Sequence, residues 1–339
     1  MSVLSTQRAL TARPRFWVLR QLFCGLLVSL LFIFNLVSCT RAQAVGTQAR
    51  PLRILTFPGL RGAETTEALH RIAKKLQRDT GLFIDLQSPV DDYSAVCALG
   101  DAEADLAFLN DMSYIAGQKL YGLRPRLQVL RQGPGASHRA QILIKPGIGT
   151  DLNALSGRRM AYVDPYSLSG YFLAEHILKQ HQIKLGAMVF TGSHLEALRQ
   201  VLSGQADALA TYVDSEQRPG VPQDLRAALS AKEQGQADSL HSLVLQRAIP
   251  NEPLVQRKGL PAHKAQQVID ALLKLAADKQ AAADLMLVGG VRGLQKVSAK
   301  DYANLAKMLN DLGKGAEEAL PGGWKLRSVH SEKIREPAK

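Results

Sequence analysis

Between Leu52 and Leu245, short apolar runs alternate with segments whose apolar residues recur at helical spacing. The first run, Leu52-Arg53-Ile54-Leu55-Thr56-Phe57, stops at Pro58-Gly59, and Leu69, Ile72, Ala73 and Leu76 then share a helical face. Further strands are expected at 82–86, 105–109, 141–145, 160–163, 187–190, 206–210 and 243–245. Helices are expected at 92–99, from about 112, and at 169–179, 195–202, 262–275 and 299–312. Such alternation specifies an α/β fold with mostly parallel sheets, because a parallel pair needs a long crossover and a helix supplies it. In such sheets ligands sit outside the carboxyl ends of strands, here in the turns after Phe57, Leu109, Val163, Phe190 and Ala210. The sequence shows no internal repeat.

The chain of 339 residues is long enough for two lobes with a sizeable core, and at 46% hydrophobic and 21% charged it is neither disordered nor collagen-like. The formal net charge is +12. Arg8, Arg13, Arg15 and Arg20 supply four of those charges, and without residues 1–38 it would be +8. A basic balance suits an anionic ligand or surface. The basic residues are dispersed and aromatics are 6% of the chain, which argues against nucleic acid as the partner.

Those four arginines open an export signal. Leu22–Val37 is almost wholly apolar, short for a spanning helix, which needs about 20 apolar residues, and suited to a secretory core segment. It ends in Leu36-Val37-Ser38-Cys39, which resembles the bacterial lipobox, where a small residue precedes a cysteine that is lipidated and becomes the new N-terminus. Residues 1–38 are therefore read as a signal peptide, Cys39 as the lipidation site and 39–50 as a polar tether; the other reading is an uncleaved N-terminal anchor. Either places the remainder outside the cytoplasmic membrane, on a membrane facing the periplasm or the cell exterior. Cys97, within Ala95-Val96-Cys97-Ala98-Leu99, reads as a buried inert thiol.

Two turns carry the chemistry. In Val163-Asp164-Pro165-Tyr166-Ser167-Leu168-Ser169-Gly170-Tyr171 a strand ends and a helix begins among two serines and a glycine. The first amides of a helix have no acceptor inside it, and with the Ser167 and Ser169 hydroxyls they could surround an oxyanion favoured by the helix dipole. A serine there could equally serve only as the cap. In Thr191-Gly192-Ser193-His194-Leu195-Glu196, Ser193 and Glu196 have capping-box spacing, which leaves His194 in the first turn, able to donate to an anion. The sequence has no GxSxG elbow, no P-loop, no CxxC and no HExxH, so no cofactor or metal is expected. A hydrolase using Ser167 or Ser169 would need a base and an orienting partner that the sequence does not present, so no enzyme is expected.

These segments resemble the phosphonate-binding proteins of ABC importers, over nearly all of residues 51 to 312. The most specific piece is Asp164-Pro165-Tyr166-Ser167-Leu168-Ser169-Gly170, close to the family's D-P-x-S-T-S-G. Others are Asp92-Tyr93, Ala104-Asp105-Leu106-Ala107-Phe108, Gly192-Ser193-His194, Gly204-Gln205-Ala206-Asp207-Ala208 and Ile249-Pro250-Asn251-Glu252-Pro253. The resemblance implies a two-lobed periplasmic binding protein of type II-like fold with a hinge cleft. Lobe 1 is expected over 51–141 and 242–312, lobe 2 over 142–241, and a charged tail over 313–339. It implies a small phosphorus oxyanion (phosphonate, phosphite or phosphate) as ligand and an ABC permease as partner; the other function compatible with the fold is a ligand-sensing lipoprotein without transport. By resemblance Ser167, Leu168 through its amide, Ser169 and His194 hold the oxyanion, and Tyr93 contacts the ligand. Asp214 and Glu252 fall where relatives place acids for a ligand's amino group. Leu168 stands where threonine is usual, and His138 where a tyrosine is usual.

Overall fold

In the computed structural model, residues 44–131, 137–214, 225 and 229–311 are described; Cys39, the signal segment and the tail beyond 311 lie outside them. Among the described residues, eleven strands form two sheets. The first sheet has the order β11-β4-β10-β3-β1-β2, with β1 Leu52–Leu55, β2 Ile84–Gln87, β3 Leu106–Phe108, β4 Arg124–Leu130, β10 Pro253–Gln256 and β11 Gly293–Lys296. The second has the order β7-β6-β8-β5-β9, with β5 Ser137–Ile144, β6 Arg159–Tyr162, β7 Ala187–Phe190, β8 Ala208–Asp214 and β9 His241–Pro250. The helices are α1 Ala63–Thr80, α2 Asp92–Gly100, α3 Asp111–Tyr121, α4 Leu173–Gln180, α5 His194–Leu202, α6 Ala231–Ala237, α7 Ala262–Ala277, α8 Lys279–Leu287 and α9 Ala303–Asp311.

Local chemistry accounts for the helices that matter here. In α1, Ala68, Leu69, Ile72 and Leu76 form the buried stripe, and Gly81 ends the helix in the left-handed region at φ 69°. Asp91 and Ser94 close a capping box at α2. Asn110 accepts the Ser113 N–H at α3, and Ser193 the Glu196 N–H at α5.

The sequence shows no repeat, yet the two sheets repeat one arrangement. β1-α1-β2-α2-β3 and β6-α4-β7-α5-β8 each place their strands in the order third, first, second, all parallel. An aspartate at the same place fixes each unit. Asp105 accepts the Arg53 N–H at 3.1 Å while its own N–H donates to Arg53 O. Asp207 does the same with Arg159, at 2.9 Å. Parallel pairing covers these βαβ units; β10 joins β3 and β4, β11 joins β4, and β5 joins β8 and β9 in antiparallel fashion.

The chain changes sheet twice, between β4 and β5 and between β9 and β10. Both β5 and β9 belong entirely to the second sheet. The changes of sheet therefore fall between Leu130 and Ser137 and between Pro250 and Pro253, where the resemblance implies lobe boundaries at 141/142 and 241/242. A single apolar cluster bridges the two halves. It joins Val96, Leu99, Leu109, Ile115 and Leu123 to Leu168, Phe172 and Leu173 ahead of and within α4, and to Leu245 and Ile249 of β9. Tyr302 and Leu305 close it from the C-terminal side.

Candidate ligand-binding site

The segment after β6 is built as a turn that delivers amides. Asp164 accepts the Tyr166 N–H at 2.7 Å and its carbonyl accepts the Ser167 N–H at 3.3 Å. Ser167 is the cap: its Oγ accepts the Gly170 N–H at 3.0 Å. That use of the oxygen leaves the hydroxyl proton free to donate. The helix then opens with a π-helical turn, Leu168–Phe172, before continuing as α4; such turns are uncommon and recur at functional sites. The Leu168 and Ser169 amides are the first of this helix and have no acceptor within it.

Gly170 makes the geometry feasible. A Cβ there would lie 2.4 Å from Val163 Cγ2 and 2.7 Å from Ser167 Oγ, so only glycine lets the helix start close against the end of β6. Leu168 also finds its explanation. Its side chain is 5% exposed, within the bridging apolar cluster that also packs Tyr93. Leucine contributes packing where threonine would contribute a hydroxyl, and what it offers a ligand is the amide. Ser169 is buried at 7%.

The α5 start is held beside this turn by the same strand end. Thr191 N–H donates to Tyr162 O at 3.0 Å and Gly192 N–H to Val163 O at 2.8 Å. Val163 N–H in turn donates to Gly170 O at 3.1 Å. His194 Nδ1 lies 2.9 Å from Thr211 Oγ1. Burial, and next the nearby His138, hold the His194 imidazole down at about 4, so it is neutral near neutral pH. When the Thr211 hydroxyl donates to Nδ1, the proton of the neutral ring sits on Nε2, where it can be given to an anion. A hydroxyl, and no carboxylate, orients this ring, which suits hydrogen-bond donation better than a base relay.

A row of rings leads away from His194. The Tyr212 ring stands edge-on to His194, centroids 5.0 Å apart, and His138 is edge-on to Tyr212 at 6.2 Å. His138 Nδ1 lies 3.1 Å from Asn251 Oδ1, and Asn251 Nδ2 donates to Val129 O at 3.1 Å. His138 pairs with Asp214 across β5 and β8, with Asp214 the last residue of β8.

Glu252 is already engaged. Arg131 donates to it in bidentate fashion, Nη2 to Oε1 at 2.7 Å and Nε to Oε2 at 3.1 Å. Burial alone would raise the Glu252 carboxyl, and the guanidinium reverses that, holding it below the usual range. The expectation that Glu252 waits for a ligand's amino group therefore meets a carboxylate with a partner in place. Tyr93 stands two residues after the Asp91 cap of α2, and next to it Asp92 accepts from Asn110 Nδ2 at 2.8 Å. Burial lifts the Asp92 carboxyl to about 6, with Asp91 and Asp164 adding to the rise.

Ser167, Leu168, Ser169, His194 and His138 thus gather along one strand-end surface of the second sheet. Sequence reasoning missed Thr211, Tyr212, Asn251 and Arg131. Asn251 sits inside the quoted Ile249–Pro253 motif; the others carry no local signal. Among the described residues no group of three or more His, Cys, Asp or Glu could hold a metal ion, and no helix is long and apolar enough to cross a membrane.

Solved structures share this architecture. PhnD1 from Prochlorococcus marinus, in complex with methylphosphonate, aligns with a TM-score of 0.56 at 14% identity, covering 78% of this chain and 98% of its own. A binding protein component of an ABC phosphonate transporter (PA3383) from Pseudomonas aeruginosa aligns at 0.53 and 16% identity, covering 86% and 96%. XAC2383 from Xanthomonas citri, bound to ATP, aligns at 0.58 and 15% identity, covering 82% and 98%. These likenesses show the two-lobed fold. No curated protein matches the sequence. The family model for the periplasmic substrate-binding protein of phosphonate ABC transporters matches residues 54–302, spanning both sheets, the serine turn and the His194 turn. The chain belongs to that family, the solute-binding components of ABC importers.

Proposed function

We propose that the ligand is a small phosphorus oxyanion, gripped at one end by the Leu168 and Ser169 amides, the Ser167 and Ser169 hydroxyls and His194 Nε2, and handed to an ABC permease without chemical change. The observation that supports this most is the helix opening at Leu168, whose cap hydroxyl and neighbouring neutral histidine are all donors. Donors without a fixed cation suit a tetrahedral anion that must also be released. Tyr93 and His138 contact the ligand from the α2 start and the β5 start, and motion of the two halves closes the site and excludes water. Relative to a threonine at position 168, one lost hydroxyl donor costs about 1–3 kcal/mol, or about tenfold to over a hundredfold in affinity. Cys39 carries the lipid that tethers the exported protein.

A thermal-shift screen with phosphate, phosphite, methylphosphonate and 2-aminoethylphosphonate tests this, since a ligand of the folded state alone raises the melting temperature. Calorimetry should then show binding by the wild type and none by Ser169→Leu, whose circular dichroism stays native. Unchanged affinity in Ser169→Leu removes the site. Cys39→Ser should release the protein from the membrane fraction.

A further inference from the structure

Resting on the phosphorus-oxyanion reading, we infer that Arg131 is a specificity-determining residue: by occupying Glu252 it withdraws that acid as an ammonium acceptor and sets a guanidinium beside it, selecting against ligands with a cationic tail. The row of rings from His194 through Tyr212 to His138 runs from the anion-binding helix start toward Asn251 and Glu252. A tail extending along that row meets the Arg131–Glu252 pair, because Glu252 follows directly on Asn251, whose Oδ1 lies 3.1 Å from His138 Nδ1.

Arg131 is held there from three sides. Nε and Nη2 engage both Glu252 oxygens, and Nη1 donates to Gly289 O at 2.8 Å. The guanidinium carbon lies 5.5 Å from the Phe57 ring centroid. Gly289, at φ 100°, lets the backbone pass so close to Phe57 that a Cβ would sit 2.2 Å from its ring. A guanidinium placed by two ion-pair bonds, a carbonyl and an aromatic face is not readily displaced by a flexible ammonium, which offers Glu252 a weaker single-point partner. An ammonium that left the pair intact would face the cation. Discrimination here comes from a repulsive and pre-emptive element, not from an added contact to the favoured ligand.

The test is calorimetry on the full exported chain with methylphosphonate and 2-aminoethylphosphonate. The wild type should bind methylphosphonate at least about tenfold more tightly than the amine. Arg131→Met should move that ratio at least about tenfold toward the amine by freeing Glu252. The double variant Arg131→Met, Glu252→Gln, which leaves no unpaired charge, should lose the shift again. A wild type that binds the amine as tightly as methylphosphonate, or a shift that persists in the double variant, overturns the role of Arg131 while leaving the oxyanion site standing. The wild-type ratio decides the matter even where Arg131→Met does not fold. A wild type that binds neither these ligands nor phosphate and phosphite overturns the oxyanion reading, and this inference with it.

Discussion

The His194 ring makes a quantitative forecast. Burial first, and then His138, bring its titration from 6.5 to about 4. Between those values the unfolded chain binds a proton that the folded protein refuses. The stability associated with a neutral His194 is therefore complete above about pH 6.5 and is lost as pH falls toward about 4, where the folded ring also charges. A span of two and a half pH decades at 1.36 kcal/mol each corresponds to about 3 kcal/mol at the limit. Asp92, lifted to about 6 mainly by burial, works in the opposite direction, gaining stability as pH falls. Subtracting a His194→Gln variant removes Asp92 and the other titrating groups from the comparison. Urea denaturation of both proteins, from about pH 7.5 to about pH 4.5, should show the wild type losing about 2–3 kcal/mol relative to His194→Gln. A difference that stays level across that range refutes the claim that His194 is held neutral by its surroundings. A phosphorus anion on Nε2 favours the charged ring, so saturating ligand should flatten the same curve.

Two further expectations follow from packing and charge. Gly170→Ala should cost about 1–3 kcal/mol by overpacking against Val163 and weaken oxyanion binding, because relief of the clash moves the Ser167–Ser169 amides; a denaturation midpoint and an affinity both equal to wild type would contradict this. Asp111 is buried with Oδ1 lacking a hydrogen-bond partner among the described residues, and burial, aided by the Glu252 charge, holds its carboxyl well above the usual range. A raised carboxyl imposes no cost below its unfolded value and a growing one as pH climbs through its folded value, so Asp111→Asn should gain stability relative to wild type as pH rises, and a constant loss at every pH would show that the acid is ionised.

The fold was readable where apolar runs are continuous and failed where pairing comes from afar. The runs at Leu52, Leu106, Ile142, Met160 and Ala208 all became strands. β4, Arg124–Leu130, escaped notice because arginines and Pro125 interrupt it, yet in the sheet it is paired on both sides, by β10 and β11, and Leu127, Gln128 and Val129 are buried. β10 is four residues beginning with Pro253, with no periodicity to detect, and all four are buried by neighbours distant in sequence. The structural repeat was invisible for a related reason. Its two halves share a pairing order and an aspartate–strand clasp, Asp105 with Arg53 and Asp207 with Arg159, and two matched positions some fifty residues apart do not stand out as a repeat in the sequence.

The same division runs through the site. Amides at a helix start, a serine cap and a glycine that permits close approach are all local, so the Asp164–Gly170 segment announced itself. Charge balance is not local. Glu252 in isolation is an acid in a turn, and the guanidinium that satisfies it lies 121 positions earlier, at the mouth of the other crossover. Nothing near either residue marks the partnership; it exists because antiparallel β4 and β10 bring the two crossovers side by side. In the proposed site the anion end is set by two local helix starts, the serine turn and the His194 turn. The character of the tail would be set by Arg131 and Glu252, which the fold alone brings together, so substitutions at either should change ligand preference without touching the serine turn.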